Sequence, residues 1–388
     1  MSRSEPAIVA EVGDHGQPGS AVRDRRNVHL SLLTRSLSKP ETVGSLTSEE
    51  WDLLVRTARQ SRLLAVLAAR IRAAGFESDV PSYVFAHFTS EERVALHRRQ
   101  MALWEMECLA EALTGLDGQV VLLKGAAYIA QALPIAQGRL LSDVDLLVHR
   151  SKLDEAEEAL TSAGWESKKL DAYDQQYYRA WSHELPPMRL PAHTLEIDLH
   201  HTLLPPTGRI RIDADALVRD ARSMPGSRFS VLCPEDQIVH AAVHLFQDSD
   251  CNERLRDLVD VDGLIRHHAV SESFWESLLA RVALHGAGRP FWYSLRYAQA
   301  LLGTPVPRAA LESAARAAPP APLRQVMDTL VPRVIGPVHP DSRSPASLRL
   351  ARWLLYVRSH WLRMPPWLLA RHLATKSLRR LRPQEAAA

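Results

Sequence analysis

Gly138-Arg139-Leu140-Leu141-Ser142-Asp143-Val144-Asp145-Leu146-Leu147-Val148 reads as a β-strand whose apolar run is interrupted by two acids. In a strand, residues i and i+2 point to the same face, so the Asp143 and Asp145 carboxylates converge on one spot, about 7 Å apart at the backbone. Leu140, Val144, Leu146 and Val148 point the other way, into a core. Two like charges on an apolar strand raise each other's proton affinity unless a cation lies between them. Mg²⁺ takes one or two carboxylates plus substrate phosphate oxygens, which makes it a natural resolution. The plain alternative is an edge strand with two solvated aspartates. DxD alone favours that alternative, so the neighbouring segments decide.

Upstream, Val120-Val121-Leu122-Leu123 is a short apolar run stopped by Lys124-Gly125. Ala126 to Leu133 then reads as a short helix ended by Pro134. Free N–H groups at such a helix start can receive phosphate oxygens; Gly125 lets the backbone approach closely and Lys124 adds a positive charge. GxxxxGK[ST] is absent, so this is not a P-loop. Ser151-Lys152-Leu153-Asp154 reads as the cap of a helix running to Ala163. Downstream, Thr194-Leu195-Glu196-Ile197-Asp198-Leu199-His200 alternates, with Glu196, Asp198 and His200 on one face. Asp198 on a neighbouring strand can complete a three-carboxylate cluster that holds a triphosphate's metal and activates an attacking hydroxyl. Strand, helix, strand, helix, strand describes a small α/β unit.

This order resembles the DNA polymerase β-like nucleotidyltransferase superfamily. Within it, LLKGAAYIAQALP, GRLLSDVDLLV and LEIDLHH closely resemble a bacterial uncharacterised nucleotidyltransferase family. The likeness extends to Leu232-Cys233-Pro234-Glu235-Asp236 with His240 and His244, and to Arg254-Leu255 followed by Asp260, spanning roughly Leu46 to Leu302. It implies an α+β fold: a polymerase β-like core, a small mixed sheet with helices, flanked by N- and C-terminal helical regions. It implies Asp143, Asp145 and Asp198 as metal ligands and catalytic residues, with Asp198 as general base. Lys124, Gly125, Ala126, Arg139 and Ser142 would face the nucleotide. The family's usual glycine-serine or glycine-glycine pair is Gly125-Ala126 here, so a serine contact to phosphate is missing; Ser142 or Lys124 is the substitute. The implied cofactor is Mg²⁺, with Mn²⁺ as its stand-in. The implied reaction moves an NMP group from an NTP to a hydroxyl acceptor, a small molecule or a protein. Two rivals are a catalytically weak regulatory module of the same fold and a toxin–antitoxin-type enzyme acting on tRNA or a partner protein.

Outward from this core, 1–27 reads as a mobile tail, 28–118 as a helical region, 119–232 as the α/β core and 233–388 as a helical region with a basic end. Thr47-Ser48-Glu49-Glu50 and Thr89-Ser90-Glu91-Glu92 are two capping-box signals. Pro305 to Pro322 reads as a Pro- and Ala-rich linker. Arg139 is placed either to meet the triphosphate or to anchor the aspartates. His240 and His244 have metal-ligand spacing, but no third ligand is evident, and bonding within a helical layer is favoured. Asp257 and Asp260 share a helix face, with pairing to Arg254 or Arg256 expected, and Asp262 lies away from it.

A formal charge of +2, with 46% hydrophobic and 24% charged residues, gives no argument for an obligatory nucleic-acid partner. Three scattered cysteines argue against a disulfide framework and a zinc ribbon, and for a reduced, cytoplasmic setting. Arginine far outnumbers lysine and alanine is abundant, a bacterial, GC-rich signature. No apolar run is long enough to span a membrane. Ser347 to Arg382 is basic and rich in Trp and Leu; it reads as docked helices broken at Pro365-Pro366, with weak membrane-surface contact as the secondary reading.

Overall fold

The apolar alternation in the middle of the chain becomes one mixed sheet. A computed structural model describes residues 28–168, 178–179, 181–341, 344–367, 369 and 371; the expected tail 1–27 and the basic end 372–388 lie outside the described residues. Strands β1 (Val120–Leu122), β2 (Asp143–Val148), β3 (Glu166–Ser167), β4 (Met188–Arg189), β5 (Glu196–His200), β6 (Arg222–Ser223) and β7 (Phe229–Val231) lie in the order β3-β4-β5-β2-β1-β7-β6. β2 pairs parallel with β5 and antiparallel with β1, and β1 pairs parallel with β7. The strand carrying both aspartates is therefore central, which removes the edge-strand alternative.

Burial fixes which way β2 faces. Val144, Leu146 and Val148, with Val120, Leu122, Ile197 and Leu199, point into a hydrophobic core that continues from Leu30 to Leu355. On the other face Val121, Leu123 and Leu147 join Leu203, Leu217 and Leu232 in a small second cluster, and Asp143 and Asp145 share this face with Leu147. A one-residue slip would turn three Leu and Val side chains out of the main core, each worth about 1.5–3 kcal/mol when buried, and drive the acids into it.

Helices clasp the sheet. α1 (Val28–Ser38), α2 (Ser48–Gln60), α3 (Leu64–Ala73) and α4 (Ser82–Ala112) precede it, and α5 (Lys124–Ala130), α6 (Leu153–Ser162) and α7 (Ala214–Arg219) lie between strands. α8 (Pro234–Val243), α9 (Leu255–His268), α10 (Glu272–Leu284), α11 (Gly288–Leu302), α12 (Arg308–Ala315), α13 (Ala321–Val334) and α14 (Ala346–Arg363) follow. α1 packs on both α2 and α11, so the two helical regions meet each other as well as the sheet.

Thr47 caps α2 with the full reciprocal box to Glu50, as expected. The identical tetrapeptide at Thr89 caps nothing. α4 begins seven residues earlier, behind Pro81, and Thr89 donates back to the Phe85 carbonyl while Glu91 and Glu92 pair with Arg59 and Arg72. Ser151 likewise does not cap α6: it sits in a 3₁₀ turn, where the His149 side chain accepts its N–H. The Pro305–Pro322 stretch is also not a plain linker. Pro307 and Pro320 stand just before α12 and α13, where a missing N–H costs nothing, and the alanines are strong helix formers. α14 docks through Ala351, Leu355 and Ser359 and ends at Arg363, before Pro365. Its outer side exposes Leu350, Trp353, Tyr356 and Trp361.

Candidate functional site

The parallel register of β2 and β5 sets Asp143 opposite Glu196, Asp145 opposite Asp198, and Leu147 opposite His200. Paired strands lie about 4.8 Å apart, so Asp145 and Asp198 stand side by side on one face. Asp143, Asp145 and Asp198 together line a cavity of about 230 Å³. Asp145 is 3% exposed, and its Oδ1 accepts from Lys124 Nζ at 2.8 Å and from His200 Nε2 at 3.0 Å. Burial opposes the charge, but Lys124 and His200 outweigh it and hold the Asp145 carboxyl well below the usual carboxylate range. Asp198 goes the other way: burial first, then the neighbouring Asp145 and Glu184 charges, push it up to about 7. Its Oδ1 is buried and has no hydrogen-bond partner among the described residues. Asp143 is half-buried and accepts from the exposed Ser142 hydroxyl at 3.1 Å.

Lys124, at the turn from β1 into α5, has φ of +43°, a left-handed conformation that costs a residue with a side chain about 1–3 kcal/mol. The ion pair to Asp145 is what this geometry makes. Burial opposes the ammonium, yet Asp145 keeps it above the ordinary lysine range.

The facing wall comes from α8, the π-helical turn His244–Asp248 that extends it, and α9. Single π turns in helices recur at functional sites; this one brings both His244 and Asp248 to the cavity, with Arg254, Arg256 and Asp257 beyond them. Arg254 and Arg256 pair with Asp257 at 3.3 and 3.6 Å, one of the pairings expected. Asp260 pairs elsewhere. It takes a bidentate contact of 2.9–3.2 Å from Arg139, and both groups are 7% exposed. Arg139 therefore anchors Asp260 rather than the strand aspartates, and its guanidinium lies 5.6 Å from the Tyr128 ring.

That placement also explains Gly125. A Cβ there would lie 2.1 Å from Arg139 Nη1 and 2.3 Å from Leu141 Cδ1. The missing side chain makes room for the Arg139 guanidinium and the Leu141 side chain. Lys124, Gly125 and Arg139 still line the cavity, whereas Ala126 is buried in the core and Ser142 is exposed outside the lining. Asp262 is turned away, bound by Arg70, Arg266 and Thr304. The His240 and His244 rings meet edge to face with centroids 6.3 Å apart, the His244 N–H donates to the His240 carbonyl, and His244 Nδ1 lies 3.7 Å from Asp257 Oδ2.

The cavity also holds His183 and Glu184, to which no periodic pattern points. They belong to an irregular segment laid along β5, where Glu184 bridges to His200. The face alternation of Glu196, Asp198 and His200 was the available signal for His200 itself.

A family model described as "Uncharacterised nucleotidyltransferase" matches residues 47–303, a span that contains every cavity residue named above. No curated protein matches the chain significantly. Among solved structures, the crystal structure of JHP933 from Helicobacter pylori aligns at 16% identity, covering 68% of this chain and 97% of that chain with a TM-score of 0.30.

Proposed function

This chain belongs to the uncharacterised nucleotidyltransferase family, and from that premise we propose that it transfers a nucleoside monophosphate from an NTP to a hydroxyl group, releasing pyrophosphate, on a polymerase β-like core. The observation that carries this reading is the meeting of Asp143, Asp145 and Asp198 on one face of two in-register strands, across a cavity from Arg254 and Arg256. An all-oxygen donor set with one buried, unpartnered carboxylate oxygen fits Mg²⁺, or Mn²⁺ in its place. Asp143, Asp145 and Asp198 would hold the ion, which when bound supplies charge neutralisation at the reacting phosphorus.

The chain's own groups do the rest. The acceptor oxygen forms a bond to the α-phosphorus as the bond to the β-phosphate bridging oxygen breaks, and pyrophosphate leaves with that electron pair. Asp198 takes the acceptor's proton as general base; before an ion binds, burial and the neighbouring acids raise its carboxyl to about 7. Lys124, Arg254 and Arg256 offer positive charge to the triphosphate. A cavity of about 230 Å³ is smaller than the ~300–1,000 Å³ that encloses whole small molecules. It takes the phosphate end, leaving base and sugar outside. A near-neutral chain supports a small molecule or a protein as the acceptor over RNA.

Each of the four NTPs, radiolabelled at the α-phosphate, can be incubated with the protein, Mg²⁺ and cell extract. The expected result is label in a discrete acceptor with one preferred NTP, and none with Asp143→Asn. Undiminished labelling by that variant would remove Asp143 from the mechanism.

A further inference from the structure

We propose that His183, Glu184 and His200 bind a borderline divalent metal ion, Zn²⁺ foremost, at a site beside the three aspartates and chemically different from theirs. One ligand atom from each of these residues lies within 4.8 Å of the others. Glu184 Oε2 is 3.6 Å from His183 Nε2 and 3.4 Å from His200 Nε2. These contacts are longer than the 2.7–3.2 Å of ordinary hydrogen bonds. They match the roughly 3.4 Å between neighbouring ligands that sit about 2.1 Å from a tetrahedral ion.

The imidazoles supply a second observation. His200 is 1% exposed and His183 9%, yet the Nδ1 atom of each is buried without a hydrogen-bond partner among the described residues. Buried polar atoms are nearly always satisfied. In both rings it is Nε2 that lies 3.4–3.6 Å from the Glu184 carboxylate, so Nε2 is the ligating atom and the unpartnered Nδ1 carries the proton of the neutral imidazole.

The arrangement is also held in place by the backbone. His201 N–H donates to the His183 carbonyl at 3.0 Å, and Leu185 N–H donates to the Leu199 carbonyl at 2.9 Å. These bonds lash the 183–185 segment to β5, so the ligands do not have to be gathered from a loose loop. Two imidazoles and a carboxylate suit Zn²⁺ or Co²⁺, whereas Mg²⁺ and Mn²⁺ prefer oxygen donors. His183 and Glu184 line the cavity, which leaves the fourth coordination position open to it. The His200 Nε2 proton that now faces Asp145 Oδ1 at 3.0 Å would be released to solvent as the ion binds. Lys124, 2.8 Å from the same Asp145 oxygen, keeps that aspartate paired, so the site needs only its own three ligands.

Cobalt makes the site visible, because tetrahedral Co²⁺ absorbs strongly in the visible range and octahedral Co²⁺ does not. The full chain, stripped with a chelator, is titrated with Co²⁺ in the absence of nucleotide. The expected result is one equivalent of intensely absorbing Co²⁺, displaced by one equivalent of Zn²⁺ and unaffected by millimolar Mg²⁺. His183→Gln and Glu184→Gln, checked by circular dichroism for folding, should each weaken Co²⁺ binding by roughly tenfold or more, while Asp143→Asn leaves it unchanged. Should Glu184→Gln not fold, His183→Gln decides with the same readout. A missing band, a band that survives His183→Gln, or one lost in Asp143→Asn instead would overturn the proposal. Because no nucleotide is present, its failure is separable from failure of the transfer reading, which the radiolabel assay tests alone.

Discussion

Arg139 and Asp260 show how a residue can be found in the sequence and still be misplaced. An arginine just ahead of an acidic strand invites pairing with that strand's acids or with a triphosphate, yet its partner is 121 positions away on α9. Charge and position can be read locally; a partner brought in by helix packing cannot. Removing one member of a buried pair leaves the other charge uncompensated, so Arg139→Met should cost about 3–5 kcal/mol in urea unfolding. Arg139→Met combined with Asp260→Leu should recover most of that loss; a double variant no better than the single would contradict the pairing. Gly125 belongs to the same cluster. Gly125→Ala sets a methyl against the Arg139 guanidinium and Leu141, and should cost about 1–3 kcal/mol by overpacking even with no nucleotide present. The three aspartates, by contrast, were legible because a strand's two-residue period is strict. Once β2 and β5 were identified, their shared face followed.

At the scale of elements, Thr-Ser-Glu-Glu occurs twice with opposite outcomes. At Thr47 the chain enters α2 from an extended residue and the box closes; at Thr89 the helix is already seven residues old. Identical local signals differ only in what precedes them, here Pro81 at the start of α4. Thr47→Ala should therefore destabilise the protein by about 1 kcal/mol. Thr89→Ala should be near neutral by the same denaturation measurement, and equal costs at the two sites would contradict these assignments. The short strands β3, β4 and β6, two residues each, carry no period long enough to read. The segment bearing His183 and Glu184 has only an isolated bridge to β5, which is why no periodicity points to these two cavity residues.

For the molecule as a whole, burial of neutral histidines makes stability depend on pH in a definite direction. Burial lowers His29, and burial together with His267 lowers His268 to about 4, from an ordinary value of 6.5. Between about pH 6.5 and 4 the unfolded chain therefore binds more protons at these two positions than the folded one, and their contribution to stability falls as pH falls, whereas Asp198, raised to about 7, contributes in the opposite sense. His29→Asn should lose less stability than the unaltered chain between about pH 7 and pH 5 in urea unfolding; an equal or larger loss would contradict this. Other features of the whole chain were readable from composition and pattern: a sheet framed by helical regions, and among the described residues no helix long and apolar enough to cross a membrane. The closure of α1 against α11 was not, since it joins segments more than 200 residues apart.

The three carboxylates stand or fall together as the place where a nucleotide's phosphates and a divalent ion meet. The most direct measurement is a crystal structure with Mn²⁺ and an NTP made non-hydrolysable between its α- and β-phosphates, with the ion located by its anomalous signal. The expected result is Mn²⁺ contacted by Asp143, Asp145 and Asp198, with the phosphates between them and Arg254. Mn²⁺ and triphosphate bound elsewhere, with these three side chains free of both, would contradict it.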